Sequence, residues 1–257
     1  PSYNQGRYIE ETIRSVLLQN YPKLEDIIID GGSTDETVEI IRKYEPWLTD
    51  WVSEPDRGQS HAINKGFARC TGDIYNWLCS DDILLDSALE KVSKNMDLSQ
   101  PFWLIGGSYR INENRLFSEK RPAPKCFGMD NFVLWHLIPI AQPSVFWNKQ
   151  MQDIARGVNE NFNFCMDVDL WYKLNEVRTP VSVNEYLSRD RLHSQSKTTG
   201  YSDSHADSID ELAGWLISKI SESDSKKFIG PMVRMHKSFI DMFRIRNHVV
   251  FGPLMRL

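Results

Sequence analysis

The chain has 257 residues, 41% of them hydrophobic and 25% charged, with a formal net charge of −5 and a pI near 5.7. That length suits one large α/β domain, alone or with a smaller C-terminal extension, and the acidic balance excludes a general nucleic-acid binder, which carries a basic face. No apolar run approaches the ~18 residues that cross a bilayer, nothing reads as a secretory signal, and Cys70, Cys79, Cys126 and Cys165 lie scattered without zinc-type spacing, the pattern of reduced thiols in a cytoplasmic protein.

The first residues, Pro1-Ser2-Tyr3-Asn4, read as the end of a strand-to-helix turn, so a first strand is expected to be missing ahead of them. Residues 5–20 place Ile9, Ile13, Val16 and Leu17 on one helical face, and Pro22 stops that helix. The β-branched run 26–29 predicts a short buried parallel strand. Gly31 and Gly32 permit a sharp exit, and Ser33 with Glu36 predicts a capping box for a helix reaching Tyr44. Further strands are predicted at 51–53 and 73–79, with helices at 59–70 and 85–96. Alternating strands and helices with short turns predict an α/β fold with a mostly parallel central sheet flanked by helices. Ligands in such sheets collect at the C-terminal strand ends, where Asp30, the Glu54 to Gly58 stretch and Ser80-Asp81-Asp82 fall.

After residue 100 the pattern loosens. Strands are predicted at 102–109, 144–147 and 181–186, and a helix at 167–177. From about residue 205 the chain reads as a helical extension. This divides it into a domain at 1–204 and a tail at 205–257.

Two adjacent carboxylates, Asp81 and Asp82, repel one another unless a cation or hydrogen-bond donors hold them. Mg²⁺ and Mn²⁺ suit such a pair together with phosphate oxygens, whereas the competing reading is a helix cap. Six ordered blocks surround this doublet. They are Pro1-Ser2-Tyr3-Asn4, Ile29-Asp30-Gly31-Gly32-Ser33-Thr34-Asp35, Glu54-Pro55-Asp56-Arg57-Gly58-Gln59, Ala62-Ile63-Asn64-Lys65-Gly66-Phe67, Gly72-Asp73-Ile74 and Trp77-Leu78-Cys79-Ser80-Asp81-Asp82. In this order and spacing they resemble the family 2 glycosyltransferases, inverting enzymes of the GT-A (Rossmann-like) fold.

The resemblance implies a nucleotide-diphosphate sugar donor, a UDP-sugar foremost, a hydroxyl acceptor on a glycan or lipid-linked glycan, and a divalent metal, Mn²⁺ or Mg²⁺. It places Tyr3 against the nucleotide base, Asp30 on the base's imide N–H, Asp81 at the ribose and Asp82 on the metal. Arg57 either reaches a phosphate or base edge or remains a solvated loop arginine. In Cys165-Met166-Asp167-Val168-Asp169-Leu170-Trp171, Asp167 takes the position of the family's catalytic base, with Met166 where an acid is usual. His193, in Arg191-Leu192-His193-Ser194-Gln195-Ser196, resembles a late segment that closes over the diphosphate and is a candidate metal ligand. Gln142-Pro143-Ser144 resembles a segment near the acceptor pocket. Trp135, Trp147 and Trp171 can stack on sugars, although core packing is their commoner fate.

The tail carries Lys226, Lys227, Arg234, Lys237, Arg244, Arg246 and Arg256 among apolar residues. Such a helix either lies on an anionic membrane, which places the protein at the cytoplasmic inner face, or packs on its own domain. The expected role is bacterial surface-polysaccharide assembly. The rival classes are a nucleotidyltransferase of related fold and a non-catalytic sugar-binding module.

Overall fold

The structure, a computed structural model, describes residues 1–125 and 140–197 together with 211, 214 and 215. The chain divides into two units, Pro1–Thr199 and Gly200–Leu257. Apart from the three positions just named, the expected helical extension and its basic tail lie outside the described residues, as do Trp135 and Cys126.

The first half is built on two strands. Helix α1 (Gly6–Leu17) buries Tyr8, Ile9, Thr12 and Ile13, one face at helical spacing. Strand β1 (Ile27–Asp30) pairs in parallel with β2 (Asp50–Ser53), and between them α2 (Thr37–Tyr44) buries Ile41 against Ile9, Ile13 and Ile28. The predicted capping box does not form, because Ser33 is engaged elsewhere. Asp35 serves instead, accepting from Thr37 N at 3.0 Å and from Gly6 N at 2.9 Å, so one carboxylate caps α2 and joins it to the start of α1. Helix α3 (Gln59–Phe67) starts after Gly58, whose φ of +111° is open only to glycine without strain.

The second sheet is larger and mixed. Its members are β3 (Ile74–Tyr75), β4 (Ile83–Leu84), β5 (Trp103–Asn112), β6 (Phe117–Arg121), β7 (Val145–Asn148) and β8 (Val181–Leu192), in the order β3-β7-β5-β8-β4, with β6 on β5. Only β5 and β8 run parallel here; the remaining pairs are antiparallel. The sheet expected as mostly parallel is thus mixed: among the described residues parallel pairing joins β1 to β2, β5 to β8 and, by a single bridge, Ser2 to Asp30. Helices α4 (Ala88–Asn95), α5 (Lys149–Ala155) and α6 (Met166–Val177) follow, and short 3-10 turns lie at Glu45–Trp47 and Gln142–Ser144. Ala88 and Val92 of α4 pack on Phe102, Leu104, Phe146 and Leu187 in one core.

The strand expected at 73–79 is only two residues long. Beyond Tyr75, side-chain amides replace the ladder: Asn76 Nδ2 donates to Val145 O at 2.8 Å and Gln142 Nε2 to Trp77 O at 2.6 Å. The chain then enters a turn at residues 79–82, closed by Asp82 N to Cys79 O at 3.0 Å.

At the other edge of β1 only Ser2 pairs, through a parallel bridge to Asp30. Beside it lies a cavity of about 470 Å³, walled by Ile13, Ile28, Ile63, Trp77 and Phe146 among others.

Candidate functional site

The turn at 79–82 is held from behind by three elements. From α1, the Thr12 hydroxyl lies 2.8 Å from Ser80 O and 2.7 Å from Asp82 O. From the end of β8, Arg191 N donates to Asp82 Oδ1 at 2.9 Å and Arg191 Nε to Asp81 O at 2.8 Å. The same guanidinium meets Glu11 at 2.7 Å and lies over the Tyr8 ring, with its side chain 1% exposed. Ser80 Oγ donates to Pro1 O at 2.6 Å, which ties the turn to the first residue.

These tethers bring Cys79, Asp81 and Asp82 together, each offering one donor atom, all within 4.8 Å of one another. Asp82 is 8% exposed, and its Oδ2 accepts no hydrogen bond among the described residues. Burial first, and then the charge of Asp81, push the Asp82 carboxyl well above the usual range. Burial, followed by Asp82 and Asp81, pushes the Cys79 thiol up as well. A divalent cation reverses each of these penalties by neutralising both carboxylates at once. The donor set therefore fits a divalent ion, and the helix-cap reading does not hold, since α4 begins at Ala88, beyond the intervening β4.

His193 was expected on the metal. Its Nε2 lies 2.9 Å from Asp81 Oδ2, and its Nδ1 accepts Gln195 N at 3.3 Å, so in this arrangement both ring nitrogens are engaged. The ring is 1% exposed at the side chain and packs on Tyr8 at 4.6 Å. In this arrangement His193 orients Asp81 and stands outside the converging donors.

Asp30 also departs from expectation. It is fully buried and turned into its own loop: Oδ2 accepts from Gly32 N, Ser33 N and the Ser53 hydroxyl, and Oδ1 from the Ser33 hydroxyl. It shapes the turn, and for it to read a base edge a serine hydroxyl must give way. Tyr3, one residue past the Ser2 bridge, is 60% exposed and offers an open ring face. Arg57 reaches outward to Glu160 at 2.6 Å with its side chain 72% exposed, which is the solvated-loop alternative. Lys65 is paired with Glu54.

Asp167 stands in the first turn of α6, half-buried, with Oδ1 accepting Val168 N at 2.8 Å. The helix packs beside the segment that leads into the acidic turn through the Trp77–Trp171 ring contact. Four residues after Asp167, and hence on the same helical face, Trp171 is stacked between Trp77 (5.4 Å, 15°) and Trp103 (6.0 Å, 19°). Trp147 meets Trp171 edge-on at 5.7 Å. Trp147 and Trp171 are core residues, 0% and 2% exposed, so neither is placed to stack on a sugar. Asp169, 3% exposed, is paired with Lys173 at 2.8 Å.

Thr12, Cys79 and Arg191 went unassigned from sequence. Thr12 sits between Ile9 and Ile13 on the inward face of α1, and a polar residue in that stripe was the available signal. Nothing local marks Arg191, whose bonds to Asp82, Asp81 and Glu11 span 109 to 180 residues.

A family model described as glycosyl transferase family 2 matches residues 1–157. An uncharacterized glycosyltransferase of Rickettsia prowazekii is 23% identical over 235 residues, 87% of this chain and 72% of that protein. One from Mycobacterium tuberculosis is 29% identical over 188 residues, 71% of this chain and 69% of that protein. Among solved structures, S. aureus TarS 1–349 in complex with UDP-GlcNAc aligns with a TM-score of 0.65 at 15% identity, over 87% of this chain and 66% of that one. The mannosyltransferase PcManGT from Pyrobaculum calidifontis, in complex with GDP-Man and Mn²⁺, aligns with a TM-score of 0.54 at 19% identity, over 86% of this chain and 59% of that one. The chain thus spans less than two thirds of either solved structure, and at these identities the likeness shows a shared GT-A fold.

Proposed function

Because this chain belongs to glycosyl transferase family 2, we propose that it moves a sugar, with inversion, from a nucleotide-diphosphate donor to an acceptor hydroxyl. The observation that carries this reading is the convergence of Asp81 and Asp82 on one buried turn, with α6, bearing Asp167, packed beside the segment that leads into it. The ligands named for the two solved structures, UDP-GlcNAc in one and GDP-Man with Mn²⁺ in the other, support a nucleotide sugar and a divalent ion here.

Asp82 and Asp81 would hold a divalent ion, which when bound would offset the charge that appears on the departing diphosphate. Asp81 in turn is aligned by His193. Tyr3 gives the nucleotide base a flat, solvent-facing surface on which to stack, and a UDP-sugar is the favoured donor. Asp167 takes the proton from the attacking hydroxyl, a contribution of typically ~10²–10⁴-fold. The acceptor belongs to a growing surface polysaccharide, free or lipid-linked, and the basic tail brings the enzyme to the inner membrane face.

Isothermal titration of the protein with UDP, in the presence and absence of Mn²⁺, tests the reading. Binding that requires the ion and is lost in Asp82→Asn is expected. Absence of any Mn²⁺-dependent binding to UDP or GDP would sink it.

A further inference from the structure

We propose that Asn64, with Ser60 beside it, is a positioning residue for the base: it clips the loop that leads into α6 and so sets where Asp167 stands. The inference rests on the reading of Asp167 as the base and deepens it.

Residues 156–165 join α5 to α6 without a helix or strand of their own. Main-chain groups in such a segment must find partners outside any ladder. The Asn64 carboxamide supplies two of them. Val158 N donates to Asn64 Oδ1 at 2.9 Å, and Asn64 Nδ2 donates to Val158 O at 2.9 Å. One side chain thus pairs with both main-chain groups of a single residue, as a neighbouring strand would. Nδ2 also reaches Glu160 Oε1 at 3.1 Å. Four positions earlier on α3, and hence on the same face, the Ser60 hydroxyl donates to Phe162 O at 2.8 Å. Ahead of the helix, Arg57 meets Glu160 from the other side at 2.6 Å. These contacts hold 158, 160 and 162, alternate residues on the way to Asp167.

The loop is shaped to accept the clip. Arg156 and Gly157 are both left-handed, with φ of +58° and +90°. A Cβ on Gly157 would strike Asn64 Oδ1, so glycine is required there for space as well as for φ. The turn delivers Val158 into a buried position, 5% exposed.

The consequence falls on the first turn of α6. Only three residues separate Phe162 from Met166, and Asp169 N donating to Cys165 O at 3.0 Å is the main-chain bond that opens the helix. Further along, Trp171 and Leu174 are held by the core, so a loosened loop frees the Asp167 turn and leaves the rest of α6 in place. The same α3 touches the acidic turn through Gln59 Nε2, 3.3 Å from Cys79 Sγ. One helix therefore fixes the spacing between the donor half of the site and the base, where a misplacement of about an ångström costs about 10²-fold in rate.

Amide hydrogen exchange of the full chain tests the proposal without reference to turnover. In Asn64→Ala, exchange at Asp169 N is expected to rise at least about tenfold, with Leu174 N within about twofold of the unaltered protein. Gly157→Ala attacks the same joint from the loop side and should do the same. Ser60→Ala removes a single contact and serves if the other variants fail to fold. In hydrolysis of UDP-GlcNAc with Mn²⁺, Asn64→Ala should lower kcat about 10–10²-fold and leave KM within about twofold. Equal rises at Asp169 and Leu174 mark a general loss of stability and overturn the proposal. Unchanged exchange at Asp169, or a raised KM with kcat intact, overturns it as well. Asp167→Asn separates the two levels: if it leaves kcat unchanged, the base reading fails and this inference with it. If it lowers kcat whereas Asn64→Ala does not, the clip alone is wrong.

Discussion

Asp82 Oδ1 accepts the backbone N–H of Arg191 at 2.9 Å, which binds the acidic turn to the end of β8 across 109 residues of sequence. The Arg191 side chain secures the same junction by reaching Asp81 O and Glu11. One residue thus fixes an acid through its main chain and the neighbouring carbonyl through its guanidinium.

Replacing Arg191 by Met keeps the main-chain bond and the aliphatic volume but strands the Asp81 carbonyl and leaves Glu11 to its second partner, Arg115 at 3.1 Å. A hydrogen bond to a charged group contributes about 1.5–3 kcal/mol, and because Glu11 keeps Arg115 and is a quarter exposed, a loss of about that size is expected. Urea denaturation measures it, and a change below about 1 kcal/mol would show that the tether is weak.

Asp167→Asn preserves shape and removes the ability to take a proton. A fall in kcat of about 10²–10⁴-fold is expected, with Mn²⁺-dependent UDP affinity within about twofold of the unaltered protein. Equal losses in nucleotide binding and kcat would instead make Asp167 part of the donor site.

Asp26 lies at the start of β1's approach with Oδ2 buried and unsatisfied, and burial raises its pKa to about 6. A raised carboxyl pKa means that the folded state holds the proton more tightly than the unfolded chain, so this residue lowers stability as pH rises from about 4 through 6. Asp26→Asn should therefore stabilise the protein at pH 8 by on the order of 2 kcal/mol, with the gain fading below pH ~4. Urea midpoints across that pH range test the sign; a gain that grows toward acid contradicts it.

Thr12→Val is nearly isosteric and removes the hydroxyl that reaches Ser80 O and Asp82 O. Loss of about 1–2 kcal/mol is expected from the unmade hydrogen bond and the carbonyls left behind. The same variant should weaken Mn²⁺ binding severalfold, because the turn that presents Asp82 loses its support from α1. Undiminished Mn²⁺ affinity with lowered stability would confine Thr12 to folding.

What the sequence revealed followed the range of the forces involved. Helical faces and β-branched runs are local, and α1, α2, α3, β1 and β2 lie close to their predicted positions. The Asp81-Asp82 doublet was visible because its chemistry is written in adjacent letters. Pairing partners are not local: the second sheet is mainly antiparallel, and the register of β5 against β7 and β8 depends on residues 40 or more positions apart. The strand predicted before the doublet shrank because Asn76 and Gln142 side chains carry out ladder bonding that no period reveals. Residue type also leaves open which of two uses a side chain has. Asp30 and His193 carry the right chemistry for ligands, yet Asp30 binds its own turn and His193 serves Asp81.

The stacked indoles give the two carboxylate-bearing segments an optical signature. Trp77 precedes Cys79 by two positions and Trp171 follows Asp167 by four, and their rings lie 5.4 Å apart at 15°. Rings that close couple their electronic transitions, and with Trp103 behind them they form a short column of three chromophores. The near-ultraviolet circular dichroism of this protein thus reports the spacing between the acidic turn and α6. A shift of α6 by about an ångström would register as a changed tryptophan couplet while the helical far-ultraviolet signal stayed intact.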